Sequence, residues 1–240
     1  MFFLFSGEGI TDLGAGNSDA VVCQGHDYFV GPMAIMADHV VEGKHGYSIV
    51  DAGCCGYVSE RNLSNAAVEL KTAKKSLGLP GKKRAKETRY FFNNARVLSR
   101  IAKEKQTGLK DDVVAVLFRD CDGTASAGRG LWDDKRKSML DGFDEERFSK
   151  GVPMIPKPQS EAWLICALKQ RPYQRCEGLE DRSGNDNSPK SLKGELERII
   201  GEDVTPELLC QKVRNKSVDV DRIKMPSFNA FRERLEEVIE

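Results

Sequence analysis

Continuous runs of apolar residues, rather than alternating ones, form the clearest pattern along this chain. Residues 2–5 and 113–118 consist of β-branched, aromatic, alanine and leucine residues, and 152–155 is a shorter, largely apolar run. Runs of this length and composition are typical of strands buried on both faces of a mostly parallel sheet. The pattern therefore predicts an α/β core with these runs as central strands.

Helical spacing between and after these runs predicts helices that cover such a sheet. Expected helices span 33–40, 64–77, 86–106 and 133–140, with further helices starting near Ser160 (a candidate N-cap), Pro206 and Pro226, and a further strand is expected at 47–51. We expect one domain over 1–240, in which 64–110 is a basic helical insertion and 167–240 a helical C-terminal extension.

Acidic residues follow the apolar runs, and they are the candidate chemistry of the chain. Glu8 follows the first run, and Asp120 and Asp122 follow the second. Ligands of open α/β sheets bind outside the carboxyl ends of the strands, so these side chains would face one crevice. Carboxylate oxygens favour Mg²⁺ or Mn²⁺ over zinc. Asp12 would add a metal ligand, and Glu161 would complete the cluster.

The two acidic motifs resemble those of the Toprim domain of topoisomerases, primases and a group of nucleases. That domain carries a Glu-Gly after its first strand and an Asp-x-Asp after a later one, matched here by Glu8-Gly9 and Asp120-Cys121-Asp122. Residues 152–164 resemble a strand followed by Glu-x-Trp in Toprim-like bacterial proteins, some of them from phage-defence loci. Ser188-Pro189-Lys190 and Pro226-Ser227-Phe228 resemble features of their tails, so that the likeness covers about 1–12 and 111–240.

The resemblance implies a Toprim-like core and Mg²⁺- or Mn²⁺-dependent cleavage of DNA or RNA, with a role in antiviral defence. Glu8 would be a general acid/base or metal ligand, and Asp120 and Asp122 would be metal ligands. Glu161 would act beside them. The chain contains no nucleotide-hydrolysis motif, so the likeness to defence proteins also implies an ATPase partner.

Charge is distributed unevenly, although 37 basic and 37 acidic residues balance overall. Residues 71–110 hold 13 Lys and Arg against 2 Asp and Glu, a net charge of +11, whereas residues 1–70 carry 2 − 9 = −7. A dense basic segment predicts contact with a nucleic-acid backbone, or else a solvated helix face. The expected nucleic-acid contacts are Lys82, Lys83, Arg84 and Lys86 in this segment, and Lys157 outside it.

Three alternatives compete with the nuclease interpretation. Residues 120–124, Asp-Cys-Asp-Gly-Thr, also resemble the signature of haloacid-dehalogenase-type phosphatases, in which Asp120 would attack phosphate and Asp122 would move protons. The fold could instead serve as a non-catalytic interaction subunit. The third alternative is a zinc site formed by Cys23, His26 and the Cys54-Cys55 pair, but the spacing of these residues matches no strong zinc-binding pattern.

The remaining composition predicts a cytoplasmic protein without membrane contact. The apolar start at residues 1–5 is too short for a signal peptide and lacks a basic region before it. Seven cysteines, an odd number without the spacing of a small disulfide scaffold, favour reduced thiols.

Overall fold

The computed structural model of the protein describes residues 1–17, 19–73, 86–121, 130–201 and 203–240. The strands of this part are β1 (Phe2–Gly7), β2 (Gly14–Gly16), β3 (Cys23–Gln24), β4 (Tyr28–Val30), β5 (Cys55–Ser59), β6 (Val113–Phe118) and β7 (Gly151–Met154). Its helices are α1 (Ile10–Leu13), α2 (Pro32–His45), α3 (Glu60–Ala73), α4 (Lys86–Leu109), α5 (Gly130–Glu145), α6 (Ser160–Leu168), α7 (Leu192–Ile200), α8 (Pro206–Arg214) and α9 (Pro226–Ile239).

A five-stranded sheet in the order β3-β5-β1-β6-β7 forms the centre of the fold. Within this sheet the strands β5, β1, β6 and β7 are parallel, and β3 pairs with β5 in the antiparallel direction. The short strands β2 and β4 form a separate antiparallel pair. All six residues of β1 and of β6 are buried, in agreement with their continuous apolar sequences. The predicted α/β class with a mostly parallel sheet is confirmed.

Side chains of β1 alternate between two hydrophobic layers, one on each face of the sheet. Phe3 and Phe5 face a layer built from α2, α6, α8 and α9, whereas Phe2 and Leu4 face α4 and α5. Trp163 of α6 lies in the first layer, with its ring centroid 5.0 Å from that of Phe228. Helices therefore cover both faces, as a parallel sheet requires.

The order of the parallel strands creates a switch point between β1 and β6. From β1 the chain passes to β5 on one side, and then crosses to β6 on the other side of β1. In doubly wound sheets the crevice at such a point, outside the carboxyl ends of the strands, is where ligands bind. The residues that follow β1 and β6 therefore occupy the position most suited to a ligand.

The predicted strand at 47–51 is wrong, because this segment forms turns and the strand follows at Cys55–Ser59. The buried carboxylate of Asp38 accepts hydrogen bonds from the backbone N–H of Ile49 at 2.7 Å and from the hydroxyl of Ser48 at 2.8 Å. These bonds, made by a helix residue distant in sequence, hold the backbone in a turn that local propensity does not predict.

The prediction of reduced cysteines is also wrong for two of the seven. Cys166 and Cys176 form a disulfide with their Cα atoms 5.3 Å apart, and both residues are buried. Cys23, Cys54, Cys55, Cys121 and Cys210 are not part of a disulfide in the described part of the chain.

The division of the chain into a core, an insertion and an extension stays a prediction, and so does the absence of membrane contact. Among the described residues, no helix is long and apolar enough to cross a membrane. Helix α4, expected within the insertion, contributes Ala95, Leu98 and Ala102 to the core beside β6.

Candidate functional site

Glu8 and Asp120 meet at the switch point, where β1 and β6 end side by side. The backbone N–H of Asp120 donates to Oε1 of Glu8 at 3.1 Å. A Cβ atom at Gly7 would lie 2.1 Å from the carbonyl oxygen of Phe118, so only glycine allows this close approach of the chains. Glycine is also required at Gly9, where φ is +84° and a Cβ atom would lie 2.4 Å from Oδ2 of Asp12.

Arg119 holds the Glu8 side chain from the other side. Its Nη2 lies 2.9 Å from Oε2 of Glu8, and its Nη1 lies 3.5 Å from Oε1 of Glu60. The guanidinium also stacks 4.1 Å from the ring centre of Tyr90, whose hydroxyl donates to Glu60. Both oxygens of Glu8 therefore bind protein groups, which suits this residue to position Asp120. Arg119 directly precedes the acidic motif but is not among the site residues predicted from the sequence.

Ser160 links two further carboxylates of the cleft. Its backbone N–H donates to Oδ1 of Asp120 at 3.0 Å, and its hydroxyl donates to Oδ1 of Asp12 at 2.5 Å. The first N–H groups of a helix have no partner within the helix, so this one is available to Asp120. The predicted role of Ser160 as N-cap is wrong, because Gln159 occupies that position and the Ser160 hydroxyl turns to Asp12.

Burial raises the pKa of two acids beside Ser160. The pKa of Asp12 is raised by burial, and hydrogen bonds from Ser160 and Thr11 oppose this change. Burial also raises the pKa of Glu161, and the negative charges of Asp12 and Asp186 add to the increase. Removal from water and neighbouring negative charge both disfavour the ionised carboxylate. These two acids therefore stay protonated to a higher pH than ordinary carboxyl groups do.

Gln159 contributes an unpaired acceptor to the same region. Its side chain is only 8% exposed, and its Nε2 donates to Oδ1 of Asp186 at 3.1 Å. Its Oε1 atom is buried and has no hydrogen-bond partner in the part of the chain that the structure describes. A buried acceptor without a donor is costly, and next to carboxylates it marks a position suited to a cation or a donor group.

Lys135 is a buried cation behind the acidic motif, and it is not among the site residues predicted from the sequence. Its side chain is 2% exposed, and its ammonium donates to the carbonyl oxygen of Cys121. The ammonium also lies 5.5 Å from the ring centre of Phe91. Lys135 thereby fixes the backbone directly after Asp120.

Lys157, an expected nucleic-acid contact, lies close enough to Glu180 for its charge to affect that residue. Burial raises the pKa of Glu180, while hydrogen bonds from Ser227 and the charge of Lys157 oppose the change. The hydroxyl and the backbone N–H of Ser227 donate to Oε1 of Glu180 at 2.6 and 2.8 Å. Contact of Lys157 with a ligand stays a prediction.

Several predicted site residues lie outside the described part of the chain. Asp122, Lys82, Lys83 and Arg84 are among them, and Lys86 is the first residue of α4. Within the described ranges, no three His, Cys, Asp or Glu side chains form a group that could hold a metal ion, and this includes the cysteines and histidines of the zinc alternative. Mg²⁺ often binds through one or two carboxylates and several waters.

Comparisons with known proteins do not assign this chain to a family. No family model matches it, and no curated protein matches it. A solved structure described as a "putative GDSL-like lipase" from Parabacteroides merdae matches 83% of this chain and 95% of its own, with 19% identity and a TM-score of 0.33. A likeness at that level supports no argument about fold or function.

The identification of a Toprim-like protein is therefore wrong, since neither a Toprim family model nor a curated Toprim protein matches the chain. The Toprim nuclease function, its proposed place in antiviral defence and the Toprim-like interaction subunit lose their basis with it. The haloacid-dehalogenase alternative likewise finds no matching family model.

Proposed function

We propose that the cleft at the ends of β1 and β6 binds one divalent cation, Mg²⁺ or Mn²⁺, and through it an anionic group of a substrate. The observation that carries this proposal is the double contact of Ser160, which brings Asp12 and Asp120 together from separate elements. Glu161 follows Ser160 directly and shares the electrostatic environment of Asp12.

The residues of the cleft fit a hard cation. Its candidate ligands are oxygen atoms of the two carboxylates that Ser160 brings together, Asp12 and Asp120, with waters completing the coordination as is usual for Mg²⁺. Several carboxylates without an equal number of cations favour a positive ion, which would offset the repulsion among them. A bound cation of this kind polarises an anionic oxygen of the substrate.

The chain itself supplies orientation and proton transfer. Glu8 is held by its ion pair with Arg119 and accepts a hydrogen bond from the backbone N–H of Asp120. The residues that follow β1 and β6 therefore orient Asp120 together. Asp12 and Glu161 hold protons at higher pH than ordinary carboxyls, because burial raises their pKa values. In the proposed enzyme, Asp12 binds the cation and Glu161 serves as the proton donor.

The proposal is tested by thermal unfolding of the purified protein in EDTA, in MgCl₂ and in MnCl₂. A cation at about 100 times its Kd stabilises the folded state by about 2.7 kcal/mol, which raises the Tm of a chain of this size by several degrees. We expect this increase for the wild type and for Asp51→Asn, an exposed control acid.

The variants Asp12→Asn and Asp120→Asn should lose the increase while still unfolding cooperatively in EDTA. An unchanged Tm of the wild type in millimolar Mg²⁺ and Mn²⁺ would overturn the proposal. So would an equal increase in the wild type and in both site variants.

A further inference from the structure

We propose that a cavity at the amino ends of the parallel strands, opposite the acidic cleft, binds a small molecule with a chain of phosphate groups. The cavity has a volume of about 860 Å³ and lies at the ends of α4 and α5, beside the start of β6 and β7. Its charged lining consists of Lys103, Lys110, Arg147, Lys150, Asp111 and Asp112. The six residues of β6, at about 3.3 Å each, separate it by roughly 20 Å from the cleft at Asp120.

The cations in this cavity outnumber the acids by four to two. Lys150 pairs with Asp112 at 3.2 Å, and the ammonium of Lys103 donates to the backbone carbonyl of Glu146. Neither Lys110 nor Arg147 has an ion-pair partner among the described residues. These two side chains are therefore available to bind an anion.

Lys110 and Arg147 both have a left-handed backbone conformation. Lys110 follows the end of α4 with φ of 54°, and Arg147 follows the end of α5 with φ of 51°. Glycine is the usual residue in this left-handed conformation after a helix, since a Cβ atom is unfavourable there. The chain places a long cation at both positions, and both line one cavity.

The size and lining of the cavity favour a small phosphorylated ligand over a nucleic-acid duplex. Its volume lies within the range of small-molecule sites, about 300–1,000 Å³. Polar side chains of Gln106, Thr107 and Ser149 accompany the cations. Arginine and lysine bind phosphate oxygens through charge-assisted hydrogen bonds, and a chain of phosphates can engage two cations at once.

Isothermal titration calorimetry with tripolyphosphate and with ATP, in EDTA at low salt, tests this proposal. We expect binding to the wild type and at least tenfold weaker binding to the double variant Lys110→Gly, Arg147→Gly. Glycine suits the left-handed backbone, so the Tm of this variant should stay equal or rise. Loss of binding then cannot be attributed to unfolding.

Lys216→Gly is the matched control, because Lys216 is also a left-handed lysine, with φ of 60°, and it lies outside this cavity. Its affinity for tripolyphosphate should equal that of the wild type. Equal affinities for tripolyphosphate and ATP would indicate recognition of the phosphates alone, whereas tighter binding of ATP would indicate contacts to its nucleoside.

The proposal is wrong if the wild type binds neither compound at millimolar concentration, or if Lys216→Gly weakens binding as much as the double variant. Binding of duplex DNA or RNA without binding of either small compound would also overturn it. Because EDTA removes divalent cations, the outcome is independent of the cation site proposed at Asp12 and Asp120.

Discussion

The backbone N–H of Asp120 donates a hydrogen bond of 3.1 Å to the Glu8 side chain, across the ends of two parallel strands. These residues are 112 positions apart in sequence. Their contact requires β1 and β6 to be neighbours with their carboxyl ends at one edge. The acidic cleft is therefore a consequence of the strand order, and its geometry depends on the groups that hold Glu8 in place.

Replacing Arg119 with Gln should disturb the cleft through Glu8. The substitution removes the ion pair at 2.9 Å and the stacking on Tyr90, so we expect a loss of about 1–2 kcal/mol in the free energy of unfolding. The increase in Tm with Mn²⁺ should also become smaller, because Asp120 is no longer held through Glu8. Urea titration with and without Mn²⁺ measures both effects. Arg61→Gln, at an exposed arginine, is the control, and an unaltered response to Mn²⁺ in Arg119→Gln would contradict the positioning role.

Replacing Glu161 with Gln should stabilise the metal-free protein at neutral pH. The pKa of Glu161 is raised in the folded state. Its contribution to the free energy of unfolding is therefore fully present below the pKa of the unfolded state, about 4.5, and is lost as the pH rises through the pKa of the folded state. Glutamine has no charge to lose. The Tm of the variant should therefore exceed that of the wild type at pH 7.5 and equal it near pH 4, in EDTA. Glu197→Gln, at an exposed acid of helix α7, is the control variant.

Removing the disulfide should destabilise the fold without altering the cleft. The double variant Cys166→Ala, Cys176→Ala frees a loop of 10 residues, for which the expected loss is about 2–3 kcal/mol. Dithiothreitol should lower the Tm of the wild type and leave that of the double variant unchanged. Cys54→Ala, at a free cysteine, should keep the sensitivity of the wild type to dithiothreitol. An insensitive wild type would show that the two thiols are not joined in solution.

Replacing Ser227 with Ala should weaken the attachment of α9. The Ser227 hydroxyl donates to Glu180 at 2.6 Å and accepts from the indole N–H of Trp163 at 2.8 Å, and all three residues are buried. Loss of a partner for buried polar groups costs about 1–3 kcal/mol. Chemical unfolding measures this cost, and the exposed Ser64→Ala should stay within about 0.5 kcal/mol of the wild type. A similarly small effect of Ser227→Ala would mean that water replaces the lost hydroxyl.

The chain sequence alone determined the central strands and the acidic residues that follow them. The runs 2–5 and 113–118 are apolar at every position, a pattern that suits a strand buried on both faces and also locates Glu8 and Asp120 at strand ends. Such a pattern can be recognised from consecutive residues alone, without knowing which distant residues they contact.

Tertiary structure decided what those acids contact. Ser160 donates a hydrogen bond to Asp12, 148 positions away in sequence. The carboxylate of Asp38 holds residues 47–51 in turns, where a strand was expected. Of the seven cysteines, Cys166 and Cys176 form the disulfide. Each of these contacts forms only when packed elements bring specific atoms within about 3 Å, and no periodicity in the sequence encodes that distance. The family interpretation was wrong for the same reason. Short acidic motifs after strands indicate which side chains lie at strand ends, but they do not determine how the rest of the chain is arranged around them.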